Sequence, residues 1–301
     1  MKLKKVIILL VSILTISLIA MIPINRSYNK KVEPWMSYVN DDVRLVDMSI
    51  PGTHDSGATH SIFDVSGKCQ ELNIKQQLNV GVRFFDLRLQ LKNDDFKIIH
   101  GPVDQRLSFD SVLKDLTSFL SKYDSEFIII SIKQESENIN SSKSFEDVLK
   151  QKLDQYESLI NFNNTLPETV KEARGKIHIL SRYNLSFGYP CFYNWTDDDT
   201  FILDSLYVQD NYCINDVDEK IDDIKDTIMV SNSDSNDKLV LNFTSCYIDN
   251  AFPPTYATTA ANYINSWFVD YLNENTNLKL GIVISDFITY ELAYAIYRRN
   301  Y

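Results

Sequence analysis

Two histidines lie at the ends of strand-like segments, where acid–base chemistry would need them. His54 and Asp55 lie in the Pro/Gly-flanked loop 49–57, directly after the apolar run 43–48, and His100 ends a second run, 96–100. Loops at strand ends often carry catalytic groups, and an imidazole titrates near neutral pH. On its own, His54–Asp55 could simply be a pair that stabilises a loop. Together with His100, it predicts a base and an acid facing one substrate.

Other ionisable groups follow the same pattern. The chain contains eight short, apolar, β-branched runs, and only the seventh ends without an ionisable side chain. The runs are 43–49, 82–89, 96–100, 127–132, 176–181, 205–209, 238–243 and 280–285. The groups at or near their ends, besides the two histidines and Asp55, are Asp86, Arg88, Lys133, Arg182, Asp210 with Tyr212, and Asp286.

This set of side chains suits cleavage of a charged phosphate diester. One histidine would take a proton from the attacking hydroxyl, and the other would give one to the leaving oxygen. An arginine fork would stabilise charge on the phosphoryl oxygens. A carboxylate behind the base would fix its tautomer.

The elements between the runs predict how these side chains are brought together. Helical patterns occupy 69–80, 108–122 with Ser108 as its cap, 144–159, 216–230, 255–272 and 287–297. Strands that alternate with helices predict an α/β fold, an irregular or incomplete (β/α)8 TIM-type barrel forming a single domain over 35–301. The link between the second and third runs is too short for a helix. A doubly wound sheet is the alternative, although the chain has no Gly-rich phosphate loop.

The motifs as a set resemble the bacterial phosphatidylinositol-specific phospholipase C family, with its X-domain-type barrel. The similar segments are Trp35-Met36, 49–57, 82–88, 99–101 and 208–212, and the likeness runs from about residue 34 to the C-terminus. The resemblance implies cleavage of phosphatidylinositol to diacylglycerol and inositol 1,2-cyclic phosphate. The cyclic product would then be slowly hydrolysed to inositol 1-phosphate, and glycosylated inositol lipid anchors are a further possible substrate.

The resemblance also implies a role for each site residue. His54 would be the general base for the inositol 2-hydroxyl, with Asp286 orienting it. His100 would be the general acid for the diacylglycerol oxygen, assisted by Asp55. Arg88 would stabilise the phosphoryl transition state, and Asp86 would help to place Arg88. The residues expected to bind the inositol ring are Lys133, Arg182 and Asp210 through its hydroxyls and Tyr212 by stacking.

Arg88 bears on the cofactor. Similar calcium-dependent relatives use a metal where this chain has an arginine, so the resemblance implies catalysis with no metal and no other cofactor. One alternative, a metal-dependent glycerophosphodiester or phospholipase D-like hydrolase, would need an acidic cluster around the first histidine. Another is a catalytically inactive module that only binds inositol lipids. Residues 197–199, all aspartate, lack the alternation of a calcium loop and are expected to form an acidic surface turn.

A lipid substrate implies a peripheral membrane contact. The segments 60–65 and 251–256 would lie at the rim of the barrel, with Phe63, Phe252 and Tyr256 as candidate lipid-facing side chains, although ordinary loop packing is an equal alternative. A net charge of −11 argues against nucleic acid as a partner. We expect a monomer.

The N-terminal segment predicts export. Residues 1–24 combine lysines at the front with a long apolar run, as in a signal peptide, and 25–34 form a polar connector. The protein would be secreted, or held at the outer face of the cytoplasmic membrane if the segment stays as an anchor. Four widely spaced cysteines give no metal-ligand pattern, and they leave disulfides and free thiols both open.

Overall fold

The computed structural model describes residues 34–61, 67–248 and 257–301. The predicted segment 1–24, the connector up to residue 33 and the candidate rim residues Phe63, Phe252 and Tyr256 lie outside the described residues. No helix within the described residues has the length and apolar character needed to cross a membrane.

The described residues form strands and helices in alternation along most of the chain. The strands are β1 Ser49–Thr53, β2 Phe84–Lys92, β3 Asp95–His100, β4 Val103–Ser108, β5 Ile128–Gln134, β6 Ile160–Asn161, β7 Ile177–Arg182, β8 Tyr189–Pro190, β9 Thr200–Leu203, β10 Leu206–Gln209, β11 Cys213–Ile214, β12 Leu239–Phe243, β13 Tyr247–Ile248 and β14 Gly281–Ser285. The α-helices are α1 Ile74–Val80, α2 Phe109–Leu120, α3 Phe145–Leu153, α4 Val170–Ala173, α5 Val217–Ser231, α6 Ala257–Glu274 and α7 Tyr290–Tyr297. Short 3-10 segments are Trp35–Tyr38, Leu45–Asp47, Asp154–Leu159, Phe192–Asn194 and Arg298–Asn300.

Parallel strands build the wall of an incomplete barrel, as the sequence predicts. Their order is β7-β5-β2-β1-β14-β12-β10, and neighbouring strands pair in parallel. The central strands are buried along their whole length, which explains their continuous β-branched sequences. Because each strand runs the same way, their carboxyl ends meet at one end of the barrel.

The barrel is open between β7 and β10. Strands β6 and β8 extend the free edge of β7, and β9 pairs antiparallel with the free edge of β10. In the part of the chain that the structure describes, no ladder joins the two edges. A side chain bridges them instead: the Tyr189 hydroxyl on β8 accepts a hydrogen bond from the Ser205 amide at 2.9 Å and donates to the Leu203 carbonyl at 3.4 Å.

Two of the predicted strands differ from the structure. The run 43–49 is mostly a 3-10 turn, and β1 begins only at Ser49, so Pro51 and Gly52 lie in the strand rather than in a loop after it. The run 96–100 is β3, which pairs antiparallel with β2 and β4 and so forms no part of the parallel wall. Its two-residue link from β2 allows only a hairpin, because a parallel crossover needs a dozen or more residues.

The predicted helices are all present, most of them shorter than expected. Each of α1, α2, α3, α5 and α7 begins after a side chain that caps its first turn, and Ser108 caps α2 as predicted. The four cysteines are free thiols.

Candidate active site

A cavity of about 400 Å³ opens at the carboxyl ends of the barrel strands. Eight of the ten residues predicted for catalysis and substrate binding line it, and Asp55 and Asp86 are buried against them. The lining residues are His54, Cys69, Arg88, His100, Lys133, Glu135, Arg182, Asp197, Asp210, Tyr212, Ser245, Cys246, Tyr247 and Asp286. The structure thus brings together the side chains that the sequence pattern singled out, with several that it did not.

His54 is held on both ring nitrogens. Its Nδ1 lies 2.8 Å from Oδ1 of Asp286, and its Nε2 lies 2.8 Å from Nη2 of Arg88. Arginine can only donate, so Nε2 is the acceptor and the ring proton lies on Nδ1, donated to Asp286. This is the tautomer that a general base acting through Nε2 requires.

The surroundings of His54 also shift its pKa. Burial by itself lowers the pKa, but the carboxylate of Asp286, helped by Asp55, outweighs burial and the nearby Arg88 cation. The net result is a raised pKa. Proton acceptance by this ring is therefore favoured, and the Asp286 charge is the main favourable contribution.

Asp55 lies at the centre of the cluster formed by His54, Arg88 and His100. Its φ of 43° is in the left-handed region, which aspartate tolerates better than most residues and which turns the chain sharply after His54. Its Oδ2 lies 3.5 Å from Nε2 of His100, 4.0 Å from Nε2 of His54 and 3.3 Å from Nε of Arg88. Burial raises the pKa of this carboxyl, against the pull of Arg88 and His100. One carboxylate thus lies next to both imidazoles and the guanidinium.

Arg88 is fixed by three carboxylates. Its Nε lies 3.2 Å from Oδ2 of Asp86, and its Nη1 lies 3.6 Å from Oε1 of Glu135, in addition to the Asp55 contact. Burial would lower the pKa of Arg88, but these charges raise it well above its ordinary value. In return, Arg88 and Arg182 hold the pKa of Asp86 below its usual range despite its burial. The guanidinium is therefore a permanent, oriented cation beside His54.

The other side of the cavity is formed around Trp195. Arg182 stacks on the Trp195 ring at 3.9 Å and lies 3.6 Å from Asp86, and the Trp195 indole donates to Asp210 at 3.4 Å. Burial raises the pKa of Asp210. Arg182 and Asp210 belong to the two edges of the open seam, so Trp195 links them across it.

Tyr212 and Lys133 complete the wall. The Tyr212 hydroxyl donates to Asp197 at 3.0 Å, and its backbone amide donates to Asp198 at 2.7 Å. The acidic run 197–199 is exposed, and its first two members hold Tyr212 at the mouth of the cavity. Nζ of Lys133 lies 3.3 Å from Glu135.

Comparison with known proteins identifies the family. A sequence model described as phosphatidylinositol-specific phospholipase C, X domain, matches residues 45–183. The 1-phosphatidylinositol phosphodiesterase of Staphylococcus aureus (strain Newman) is 30% identical over 286 residues, covering 88% of this chain and 91% of the relative. This chain belongs to the phosphatidylinositol-specific phospholipase C family.

Other members of the phospholipase C family agree in sequence and in fold. The 1-phosphatidylinositol phosphodiesterase of Listeria monocytogenes is 29% identical over 289 residues, covering 88% of this chain and 83% of the relative. A mutant S. aureus enzyme superposes with a TM-score of 0.78 at 27% identity, covering 89% of this chain and 99% of the other. The L. monocytogenes structure gives 0.74 at 26% identity, covering 89% and 98%. The predicted family and barrel fold are confirmed.

The sequence pattern did not reveal Glu135, which lines the phospholipase C cavity, or Trp195 and Gln70, which contact residues of its wall. Glu135 could have been found, since it lies two positions after Lys133 and strand side chains alternate between faces. Trp195 lies in a loop with no periodic signal. Gln70 is fully buried, donates to the carbonyls of His54 and Ser285 at 2.9 Å each, and accepts from the Ile288 amide at 3.2 Å. It joins the ends of β1 and β14.

The two remaining histidines of the chain, His60 and His178, do not line the cavity. His178, mid-strand in β7, is buried and lies 2.9 Å from the Ala173 carbonyl and 3.0 Å from Asn161, and burial lowers its pKa to about 4. Its surroundings are those of a structural residue. The side chain of His60 does not line the cavity.

Proposed function

We propose that this protein is a phosphatidylinositol-specific phospholipase C that cleaves phosphatidylinositol without a metal ion, giving diacylglycerol and inositol 1,2-cyclic phosphate. The main support is the position of the Asp55 carboxylate between the two imidazoles, beside Arg88, while Asp286 holds the first imidazole from behind. Two histidines and an arginine around one point suit an in-line displacement at phosphorus.

His54 starts the reaction as the general base. Its Nε2 takes the proton from the inositol 2-hydroxyl, and that oxygen attacks the phosphorus at position 1 of the same ring. In the structure this nitrogen accepts a hydrogen bond from Arg88. Binding of the phosphate diester moves that donor to a phosphoryl oxygen, which frees the base as the substrate arrives.

His100 completes the reaction as the general acid. As the bond between phosphorus and the diacylglycerol oxygen breaks, the imidazolium of His100 gives its proton to that oxygen. Asp55 supports this charged form from 3.5 Å. The cyclic product is then hydrolysed slowly with the roles exchanged, His100 activating water and His54 protonating the 2-oxygen.

Arg88 supplies the charge stabilisation that a metal would otherwise give. Its cation is kept in place by Asp55, Asp86 and Glu135. Lys133, Arg182 and Asp210 would bind the inositol hydroxyls, and Tyr212 would stack against the ring. These residues belong to the same cavity, which supports recognition of a polyhydroxylated head group.

The substrate lies in a membrane, so we propose peripheral binding to surfaces that contain phosphatidylinositol, with Phe63, Phe252 and Tyr256 at the rim. Export by residues 1–24, followed by secretion or retention on the outer face of the membrane, would bring the enzyme to such lipids. Glycosylated inositol anchors are a further proposed substrate. Pelleting with vesicles and sequencing of the mature N-terminus test binding and export separately.

The deciding experiment identifies the water-soluble product. Purified protein is incubated with phosphatidylinositol vesicles in excess chelator, and phosphorus NMR is recorded over time. We expect the signal of a five-membered cyclic phosphate first, and inositol 1-phosphate later. His54→Ala should lower turnover by roughly 10²–10⁴-fold, the usual contribution of a general base.

Two further variants test whether the activity depends on the histidines assigned to catalysis. His60→Ala is the matched histidine control; because His60 belongs to the proposed rim segment 60–65, it is assayed on soluble inositol 1,2-cyclic phosphate, where it should keep the wild-type rate. His100→Ala should lose far more activity on phosphatidylinositol than on an inositol phosphate ester with a nitrophenol leaving group, which departs without a proton. Inositol 1-phosphate as the first product, or activity only with added metal, would contradict the proposal.

A further inference from the structure

Cys69 places a thiol inside the catalytic site, where the proposed reaction has no use for it. Its Sγ lies within 4.8 Å of ligand atoms of His54 and Asp286, and equally of ligand atoms of Asp55 and His100. The side chain is buried, and burial raises the pKa of the thiol well above its ordinary value. A neutral, buried thiol is a poor nucleophile, so its significance lies in its position among nitrogen and oxygen donors.

The two possible ligand sets differ in what their members already bind. His54 and Asp286 are joined to each other at 2.8 Å. Asp55 is 1% exposed, and within the described residues neither of its oxygens accepts a hydrogen bond, although Arg88 and His100 lie at ion-pair distance. Nδ1 of His100 is also buried without a hydrogen bond there. The set Asp55, Cys69 and His100 therefore has unused ligand capacity.

We propose that Asp55, Cys69 and His100 form an inhibitory binding site for Zn²⁺ and similar thiophilic divalent cations. Sulfur, nitrogen and carboxylate oxygen are the donors that zinc prefers, and three protein ligands with one open position are a common arrangement. Zinc bonds of about 2.0–2.3 Å place tetrahedral ligands roughly 3.3–3.8 Å apart. The present separations, all within 4.8 Å, need to close by about 1.5 Å at most.

The charges balance in the bound form. Zinc displaces the proton of the Cys69 thiol and the proton that His100 carries as the general acid, so both protons pass to solvent, and thiolate, carboxylate and cation sum to zero with a neutral imidazole. Arg88 remains 3.3 Å from Asp55 and weakens cation binding, which favours reversible inhibition over a permanent structural zinc. The metal would occupy the lone pair that His100 needs in order to carry its proton, so turnover stops.

The experiment measures binding and inhibition on the full protein. Zn²⁺ affinity is obtained by competition with a chromogenic chelator, and Cd²⁺ is added separately to follow the ultraviolet thiolate-to-cadmium band. We expect stoichiometric binding, release of protons to solvent and loss of activity that a chelator reverses. Cys69→Ser should weaken binding and zinc inhibition at least about tenfold and abolish the cadmium band.

Cys213→Ser is the matched control. Cys213 is the half-buried free thiol outside the cavity, so its replacement should leave the cadmium band, the affinity and the inhibition unchanged. The proposal is overturned if Cys69→Ser keeps the wild-type affinity, or if the band disappears in Cys213→Ser instead. Asp55→Asn provides a second ligand variant and should also weaken binding. The binding readouts need no turnover, so they remain decisive even if the proposed lyase activity fails.

Discussion

At the scale of single residues, the state of His54 is set by what lies on its two nitrogens. Asp286 accepts the Nδ1 proton and raises the pKa of the ring, while Arg88 donates a hydrogen bond to Nε2. In the proposed mechanism, the same arginine would leave Nε2 for a phosphoryl oxygen when the substrate binds. The Asp286 contact was expected only from the family resemblance, because Asp286 is 232 positions away along the chain, and the Arg88 contact with Nε2 was not expected.

Replacing Asp286 tests that electrostatic pairing. The base works only when unprotonated, so activity falls as the pH drops through the raised pKa of His54. Asp286→Asn removes the charge that raises this pKa, and the acidic limb of the rate profile should move to lower pH. The maximal rate should also fall by roughly 10²–10⁴-fold, because an amide no longer fixes the tautomer. The pH dependence of kcat/KM measures both effects.

Asp237→Asn serves as its control. Asp237 is an exposed carboxylate far from the cavity, so this variant should reproduce the wild-type profile. An acidic limb of Asp286→Asn that stays in place, or moves to higher pH, would rule out the electrostatic role.

At the scale of elements, the segment before α1 joins the two strands that carry the base and its carboxylate. Gln70 hydrogen-bonds the backbone beside His54, Ser285 and Ile288, and the Cys69 carbonyl accepts from the Phe287 amide at 2.7 Å. Phe287 itself has a φ of 48°, so the chain turns sharply after Asp286, as it does at Asp55 after His54. The buried side-chain amide of Gln70 thus fixes the turn after His54 relative to the turn after Asp286.

Gln70→Leu keeps the volume of the side chain and removes its hydrogen bonds. Three buried backbone groups lose this partner, so we expect a loss of about 2–4 kcal/mol in the free energy of unfolding, together with a lower kcat. Urea denaturation and steady-state kinetics measure the two quantities. Gln151→Leu, on an exposed face of α3, should change neither. Full activity in Gln70→Leu would mean that the strand pairing alone positions the base.

The elements also show where prediction from sequence succeeds. Parallel strands buried on both faces appear as continuous apolar runs, so most of the wall and its charged strand ends could be located. The first strand was predicted too early in the chain, because Pro51 and Gly52 are typical of turns. In the structure both residues lie in β1, in the centre of the sheet. Gly57 illustrates the limit: a Cβ there would lie 2.5 Å from Cγ2 of Ile98, a contact with β3 that no local pattern predicts.

At the scale of the whole molecule, side chains close the open seam, and no ladder of strand pairing crosses it within residues 34–61, 67–248 and 257–301. Tyr189 bridges it through its hydroxyl, and Trp195 bridges it between Arg182 and Asp210. The sequence suggested an incomplete barrel from its irregular alternation, but the location of the seam depends on which strands pair. The residues proposed to contact the head group therefore lie on both edges of the seam, at β7 and at β10. A few side chains set the distance between these two edges.

Tyr189→Phe tests how much the Tyr189 bridge contributes to the free energy of unfolding. It leaves the Ser205 amide without its partner, so we expect about 1–2 kcal/mol lower stability in urea denaturation, with kcat unchanged because Tyr189 lies outside the catalytic cavity. Tyr193→Phe, which removes an exposed hydroxyl bonded to Asn184, should have little effect. Equal stability of the two variants would show that the seam does not need this bridge.

The pairing of the first and last barrel strands determines when, during synthesis of the chain, the site can form. Strand β1, next to His54, pairs with β14, next to Asp286, over five residues in register. In the proposed mechanism, His54 therefore lacks its orienting carboxylate until residue 286 has been synthesised and β14 has paired with β1. We expect a fragment that ends before residue 286 to be inactive, however well its remaining strands pack.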